Sequence, residues 1–315
     1  MAGNKNATEV LLADAAGIAR AAAILERGGL VAVPTETVYG LAARADNAAA
    51  VAKIYAAKGR PDFNPLIVHV TGAEQAGCYA AINSQARELM DAYWPGPLTL
   101  VLPLRADSGL APAVTAGLPT LALRAPAHPV MHDLLESLDF PLAAPSANRS
   151  GYISPTSAQH VLETLDGRID AVIDGGACEA GLESTILAVR ADGSLEELRP
   201  GPIRIDGLLS ASSGRTDASI EAPGQLASHY APGKPMRINA EAAGTGEFLI
   251  GFGNIAGDCT LSASGDLNEA AARLYDCLHQ AAASDHPRIA IAPVPDEGIG
   301  KAINDRLRRA ATPPE

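Results

Sequence analysis

Residues 28–70 read GGLVAVPTETVYGLAARADNAAAVAKIYAAKGRPDFNPLIVHV, and the fold turns on how this run is parsed. Leu30 to Val33 is a short apolar run closed by Pro34, which predicts a buried strand. The turn PTETVYGL, Pro34 to Leu41, then crowds Thr35, Glu36, Thr37 and Tyr39 at the end of that strand. Asp46 is placed to cap a helix carrying Val51, Ile54 and Tyr55, and Gly59 to close it. Pro61 and Pro65 exclude helix from the basic loop KGRPDFNP, after which Leu66 to Val70 predicts a second strand. Strand, helix and strand packed this closely begin an α/β domain.

The pattern continues in both directions. Upstream, Asp14 caps a helix with Ile18, Ala22 and Leu25 on one face, ended by Gly28. Downstream come a helix from Ser84 to Tyr93 and strands Leu98 to Leu102, Thr120 to Arg124 and Pro141 to Ala144, with the Gly/Pro-punctuated SGLAPAVTAGLPT as a loop. Thr156 and Gln159 form a capping box for a helix to Leu165, and strands follow at Ala171 to Ile173, Thr185 to Val189 and Glu196 to Arg199. Early alternation and late clustering of strands predict a mixed rather than a purely parallel sheet. Between Gly207 and Pro235 the composition shifts to Ser, Gly, Ala and Pro, as a linker does. Strand Glu247 to Phe252, a helix from Asn268 to Ala283, strand Arg288 to Ile291 and a helix from Lys301 to Ala310 form a small second α/β unit. The expected organisation is a domain over 1–206, a linker over 207–235 that could serve as an active-site lid, and a domain over 236–315.

A length of 315 residues suits two domains, and with aromatics at 4% their cores must rest on Ala, Leu, Val and Ile. No apolar run approaches the roughly 18 residues that cross a bilayer, and MAGNKNATEVLLADAAG lacks a basic then apolar leader, so a cytoplasmic location is expected. Cys78, Cys178, Cys259 and Cys277 show no CxxC spacing and argue for neither zinc nor disulfides. A net charge of -12 opposes non-specific binding to nucleic acid, so an anionic ligand needs a local cationic site.

Three motifs offer one. PTETVYGL places hydroxyls at the carboxyl end of a strand, where α/β sheets bind small polar ligands; the competing reading is a polar turn. Lys58 and Arg60 sit on a proline-stiffened loop from which they can reach a phosphate chain; the competing reading is a solvated helix end. PSANRSG, Pro145 to Gly151, with Ser154 beyond it, can turn backbone N–H groups into an anion-binding concavity helped by Ser146 and Asn148. His128 and His132 lie four apart, but with no third ligand nearby they read as helix-start histidines. There is no phosphate loop, nucleophile elbow or H-E-x-x-H helix, and Gly251 to Ala256 reads as a Gly-rich turn because GDCTLSASG follows where a dinucleotide fingerprint needs a helix.

Taken in order and spacing, PTETVYGL, KGRP with NPLIVHV, PTLALRAP, PSANRSGYISPT, LESTIL and LRPGPI resemble the YrdC/Sua5 family. SHYAP in the linker and the C-terminal unit resemble its longer Sua5 form. The resemblance implies a YrdC-like α/β domain on a twisted mixed sheet with a concave site, followed by a Rossmann-like Sua5 domain. It implies a nucleotidyltransferase that makes L-threonylcarbamoyl adenylate and pyrophosphate from L-threonine, bicarbonate and ATP, with Mg2+ on the phosphates, for the t6A modification of tRNA. Downstream tRNA threonylcarbamoyl-transfer enzymes would be its partners, and tRNA itself at most an indirect one. By the same resemblance Thr35, His69, Arg124 and Ser184 would hold threonine. Lys58, Arg60, Asn64, Thr120, Ser146, Asn148, Ser154 and Arg199 would hold ATP, with His229 and Tyr230 closing over it and Lys58 and Arg60 neutralising the leaving group. Two other readings are an RNA-binding module of the same pathway and a carbamoyl-adenylate-handling transferase like that of hydrogenase maturation, whose zinc-finger cysteines are missing here.

Overall fold

The structure is a computed structural model and describes residues 7–190, 192–204, 221–224 and 228–313. Its larger sheet has ten strands: β1 (Glu9–Leu12), β2 (Val31–Val33), β3 (Gly40–Arg44), β4 (Ile67–His69), β5 (Leu98–Pro103), β6 (Thr120–Arg124), β7 (Leu142–Ala143), β8 (Ala171–Asp174), β9 (Thr185–Val189) and β10 (Leu195–Arg199). They lie in the order β1-β8-β2-β3-β7-β4-β6-β5-β9-β10. The sheet is mixed: β4 runs parallel to β6 and β5 to β9, whereas β5 and β6 are antiparallel.

Alternation along the strands sends side chains to two unequal faces. Leu66, Val68, Leu100, Leu123 and Leu187 point into the main core, together with Tyr39, Leu41 and Ile54. Helices α2 (Ala48–Lys58), α3 (Ala73–Tyr79), α4 (Ser84–Tyr93) and α6 (Ala158–Leu165) contribute to that core. On the other face, α1 (Ala15–Glu26) and α5 (Pro129–Glu136) cover Val31, Val33, Leu142 and Ile173. No helix among the described residues covers the rest of that face, where Ile67, Val101, Ala122, Ile186 and Ala188 form a separate apolar patch. The half-covered face is the groove that becomes the site.

A second, four-stranded sheet, β11 (Met236–Arg237), β12 (Glu247–Gly251), β13 (Cys259–Thr260) and β14 (Arg288–Ile291), has the order β11-β14-β12-β13 with neighbouring strands parallel. Helices α7 (Leu267–Ala283) and α8 (Gly300–Ala311) pack against it and against each other. No helix among the described residues is long and apolar enough to cross a membrane. The expected linker falls largely on residues 205–220 and 225–227, outside the described residues.

Several local expectations need correction. Asn47, not Asp46, caps α2 by accepting from the Ala50 amide, because Arg44 engages both oxygens of the Asp46 carboxylate at 2.7 Å. Ser157, not Thr156, caps α6, and the Thr156 hydroxyl meets the His160 ring instead. The PTETVYGL turn runs directly into an unanticipated strand, β3, which returns antiparallel to β2. The loop around Pro112 holds a 3-10 turn at Pro112–Val114, and β1, α3, β11 and β13 are additions to the sequence reading.

Candidate active site

Strand pairing lays two cross-strand rows along the open groove. Ile67 opposes Ala122, which opposes Val101, which opposes Ala188, giving an apolar row. One step of two residues away, His69 opposes Arg124, while Ile186 opposes both Thr99 and Arg199, giving a row that begins and ends in cationic or ring nitrogen groups. His69 and Arg124 terminate the parallel strands β4 and β6 at their carboxyl ends, as the sequence reading expected of a ligand site. Thr120 faces the same side at the far end of β6, roughly 13 Å from Arg124 at the rise of an extended strand.

The PTETVYGL turn forms one rim. The Thr35 hydroxyl accepts from the amides of Thr37 and Val38 and donates to the Val38 carbonyl, so it shapes the turn from within. Arg124, almost wholly buried, donates to the Thr37 hydroxyl at 2.8 Å and to the Gly96 carbonyl at 3.2 Å. It also meets Glu36 in an ion pair of 2.7 Å that lies off the hydrogen-bonding direction, leaving Nη2 free to donate. Beside it the His69 imidazole is buried with Nδ1 unpartnered, and burial, then the Arg124 charge, hold its pKa down at about 3. Tyr39 is aimed away: its hydroxyl donates to the Gly176 carbonyl.

At the opposite end, Arg60 lines the groove while donating to the carbonyls of Asn64 and Pro65, wrapping the 61–65 loop around its guanidinium. Arg199 donates twice to the Ser184 carbonyl and once to the Ser184 hydroxyl, which also meets Thr99 at 2.7 Å. Burial depresses the pKa of both arginines, Arg60 to about 10, which leaves Arg60 charged at neutral pH.

Lys58 occupies a different place from the one expected of a phosphate ligand. Its ammonium donates to the carbonyls of Ser146 and Asn148 at 2.5 Å and to the Asn148 side-chain oxygen at 3.2 Å, which accounts for its three protons. It therefore holds the PSANRSG loop, whose edge pairs Ser146 with Gly40. Lys58→Met is expected to lower the unfolding free energy by about 2 kcal/mol, since the Ser146 and Asn148 carbonyls lose a buried donor. Urea unfolding measures this, and an unchanged midpoint would leave Lys58 with a purely catalytic role.

Residues 221–224 and 228–231 lie across the groove. Ala222 covers the apolar patch, and the Pro223 carbonyl accepts from Arg199. His229 and Tyr230 line the cleft, Tyr230 with a left-handed φ of 64° unusual for a tyrosine. Ala231 pairs with Tyr152 of the PSANRSGY segment, while the His229 amide donates to the Arg309 carbonyl on α8. The enclosed space is about 50 Å³, room for a few waters against the roughly 300 Å³ of an ordinary small-molecule pocket.

Of the residues expected at the site, Thr35, Arg60, His69, Arg124, Ser146, Ser184, Arg199, His229 and Tyr230 line one cleft. Asn64, Asn148 and Ser154 stand behind it: the Asn148 amide donates to the Tyr152 carbonyl, and the Ser154 hydroxyl donates to Glu183. The Asn64 side-chain amide is buried with neither atom bonded. Sequence reasoning missed Glu36, Thr37 and Glu183. Glu36 and Thr37 lay within the quoted turn, and only their pairing with Arg124 reveals what they do. His128 caps α5 through Nδ1, apart from the cleft.

An α/β protein with a mixed-sheet groove, cationic at both ends and roofed by a strap, is the class that fold and cleft define. Comparison with known proteins makes it particular. The family model Sua5_yciO_yrdC, described as "Telomere recombination", matches residues 23–201, and one described as "Threonylcarbamoyl-AMP synthase, C-terminal domain" matches residues 193–312. The chain belongs to the Sua5/YciO/YrdC family. A Bacillus subtilis protein named threonylcarbamoyl-AMP synthase is 40% identical, covering 96% of this chain and 95% of its own. One of the same name from Pyrococcus abyssi is 38% identical over 92% of this chain and 93% of its own. The crystal structure of P. abyssi Sua5 complexed with L-threonine superposes with a TM-score of 0.88 at 35% identity, covering 96% of this chain and 98% of that one. Full-length HypF in its phosphate- and nucleotide-bound form, at 23% identity and a TM-score of 0.53 over 59% of this chain, shares the fold alone.

Proposed function

We propose that this protein is a threonylcarbamoyl-AMP synthase, forming threonylcarbamoyl-AMP and pyrophosphate from L-threonine, bicarbonate and ATP. The observation that carries the reading is the cleft itself, with an arginine and a neutral imidazole at one end and two arginines at the other. Relatives bearing that name, one solved with L-threonine, support the assignment.

Arg124 can receive the threonine carboxylate through the donors that Glu36, Thr37 and Gly96 leave free, and His69, held neutral, can accept from or donate to the amino acid without repelling an amine. ATP then lies along the groove, its base over the Ile67, Ala122, Val101 and Ala188 row with Thr120 beyond, and its phosphates toward Arg60 and Arg199. The threonine amine condenses with bicarbonate to a carbamate, water leaving, and the carbamate oxygen attacks the α-phosphorus as pyrophosphate departs. No covalent nucleophile is required. Holding two anions in line and offsetting the charge that grows on pyrophosphate is the protein's part, through Arg60 and Arg199.

Glu183 is engaged by Ser154, Tyr275 and Arg306, and the Arg124 charge 2.7 Å from Glu36 opposes a second cation there. Mg2+ accordingly belongs to the MgATP substrate. The buried, unbonded His229 Nδ1 and Tyr230 hydroxyl supply polar groups for the nucleotide. Because the space in the cleft is so small, the segments 221–224 and 228–231 must withdraw to admit ATP and can close behind it to exclude water.

The test is incubation with ATP, Mg2+, bicarbonate and each amino acid in turn, with pyrophosphate and acyl adenylate measured. Pyrophosphate release is expected to require threonine. Release independent of the amino acid, or none with any, would sink the assignment.

A further inference from the structure

Glu183, in the LESTIL segment just before β9, is buried and accepts hydrogen bonds from both domains. The Ser154 hydroxyl donates to Oε1 at 2.6 Å from the first domain. From the second, the Tyr275 hydroxyl on α7 meets its two oxygens at 3.0 and 2.8 Å, and Arg306 Nε on α8 donates to Oε2 at 3.0 Å. Arg306 is itself wholly buried and is braced by Asp305 at 2.9 Å. Burial would raise the Glu183 pKa, but the charge of Arg306, then that of Arg199, with the Ser154 and Tyr275 hydrogen bonds, outweighs it and holds the carboxyl near 2.

What this carboxylate fixes lies one residue away. The Ser184 carbonyl is the double acceptor that orients Arg199, and the Ser184 hydroxyl takes a third bond from the same guanidinium. The strap is gripped by the same groups, since the Tyr230 ring stacks on Tyr275 at 5.6 Å and lies 5.6 Å under the Arg306 guanidinium. The threonine end holds its polar groups within the first domain, Arg124 by Glu36, Thr37 and Gly96 and Thr35 by its own turn, while the apolar Val38 of that turn packs among second-domain side chains.

We infer that Arg306 and Tyr275 are positioning residues for the phosphate half of the cleft, acting through Glu183 on Arg199 and Ser154 and directly on Tyr230. The second domain thereby sets how ATP is held and leaves threonine recognition to the first. This rests on the proposed reading that Arg199 and Tyr230 face ATP.

The experiment compares Tyr275→Phe, Arg306→Met and Arg306→Lys with the parent, and with Arg273→Ala on the exposed side of α7 as control. Calorimetry measures binding of MgATP and of L-threonine separately, kinetics give KM and kcat, and thermal unfolding monitors the fold. Tyr275→Phe keeps the ring against Tyr230 and loses only the hydroxyl, so it stays informative should Arg306→Met fail to fold. MgATP binding and KM are expected to weaken about fivefold in Tyr275→Phe and about thirtyfold in Arg306→Met, as loss of a neutral and a charged donor implies. Arg306→Lys should recover part of the loss, while threonine affinity and the control stay within about twofold. Folded variants that bind MgATP like the parent overturn the inference and leave the synthase reading standing, as does a parallel loss of threonine and MgATP binding. A parent protein that binds no MgATP overturns both.

Discussion

Arg124→Met is expected to reduce threonine-dependent pyrophosphate release about a thousandfold, with most of the loss in the KM for threonine. The side chain is almost wholly buried and braces Glu36, Thr37 and the Gly96 carbonyl at once. Its removal leaves the bound threonine carboxylate without its buried counter-charge, and truncating one partner of such a pair costs, in the upper part of the usual span, about 3 to 5 kcal/mol of binding. At 1.4 kcal/mol per factor of ten, the middle of that range is about three decades. Arg124→Lys keeps the charge but cannot serve Glu36, Thr37 and an incoming carboxylate together, so it should fall between parent and Met variant. Steady-state titration of threonine decides the matter, with thermal unfolding to confirm the fold. A folded Arg124→Met protein with the parent's threonine KM would remove Arg124 from recognition of the amino acid.

Mild acid is expected to unfold the protein well above the usual carboxylate range. Burial holds the pKa of His69 and His229 near 3 and that of His160 near 4, against about 6.5 in an unfolded chain. Below pH 6.5 the unfolded chain thus binds protons that the native state refuses, and stability falls as pH falls. The contribution is fully present above pH 6.5 and is lost progressively toward pH 3. His69 and His229, both deeply buried, together remove about 3 kcal/mol between pH 6.5 and pH 5, a large part of a domain's net stability. Below about pH 4.5 the Glu183 carboxylate, held near 2, adds to the loss. Urea midpoints at pH 7, 6 and 5 measure the slope, and His229→Gln should reduce it by about a third. Equal midpoints at pH 7 and 5 would mean that these rings are protonated in the folded protein.

The sequence revealed most where a segment's burial was uniform and its ends were punctuated. Thr120–Arg124, Thr185–Val189, Arg288–Ile291 and the helix Ser84–Tyr93 have the bounds that their apolar runs, prolines and caps predicted. Gly40–Arg44 escaped because GLAAR has no β-branched residue, and only its position between β2 and β7 makes it a strand. Glu9–Leu12 escaped because it is a four-residue edge strand with a single buried side chain. Asp46 and Thr156 were chosen over their neighbours because two capping residues stood side by side, and the choice rests on competitors, Arg44 and His160, that no local rule contains.

At the site, the cations were legible by their chemistry, but what each one holds was not. Lys58 and Arg60 look equivalent in KGRP, yet one ties down the loop of residues 145–151 and the other lines the groove. Glu183 shows the limit most plainly. In LESTIL it is one acidic residue before a strand, and its partners Tyr275 and Arg306 lie 92 and 123 residues further along the chain.

That separation bears on synthesis, which runs from one end of the chain to the other. The groove's floor needs β4, β6, β5, β9 and β10, so it cannot exist before residue 199 has been made. The clamp on Glu183 waits longer, until Arg306 has emerged. A chain interrupted after its first domain would keep the Ser154 bond to Glu183 but lack the Tyr275 and Arg306 donors that clamp it. The phosphate end is therefore the last part of the cleft to take its final arrangement as the chain is made.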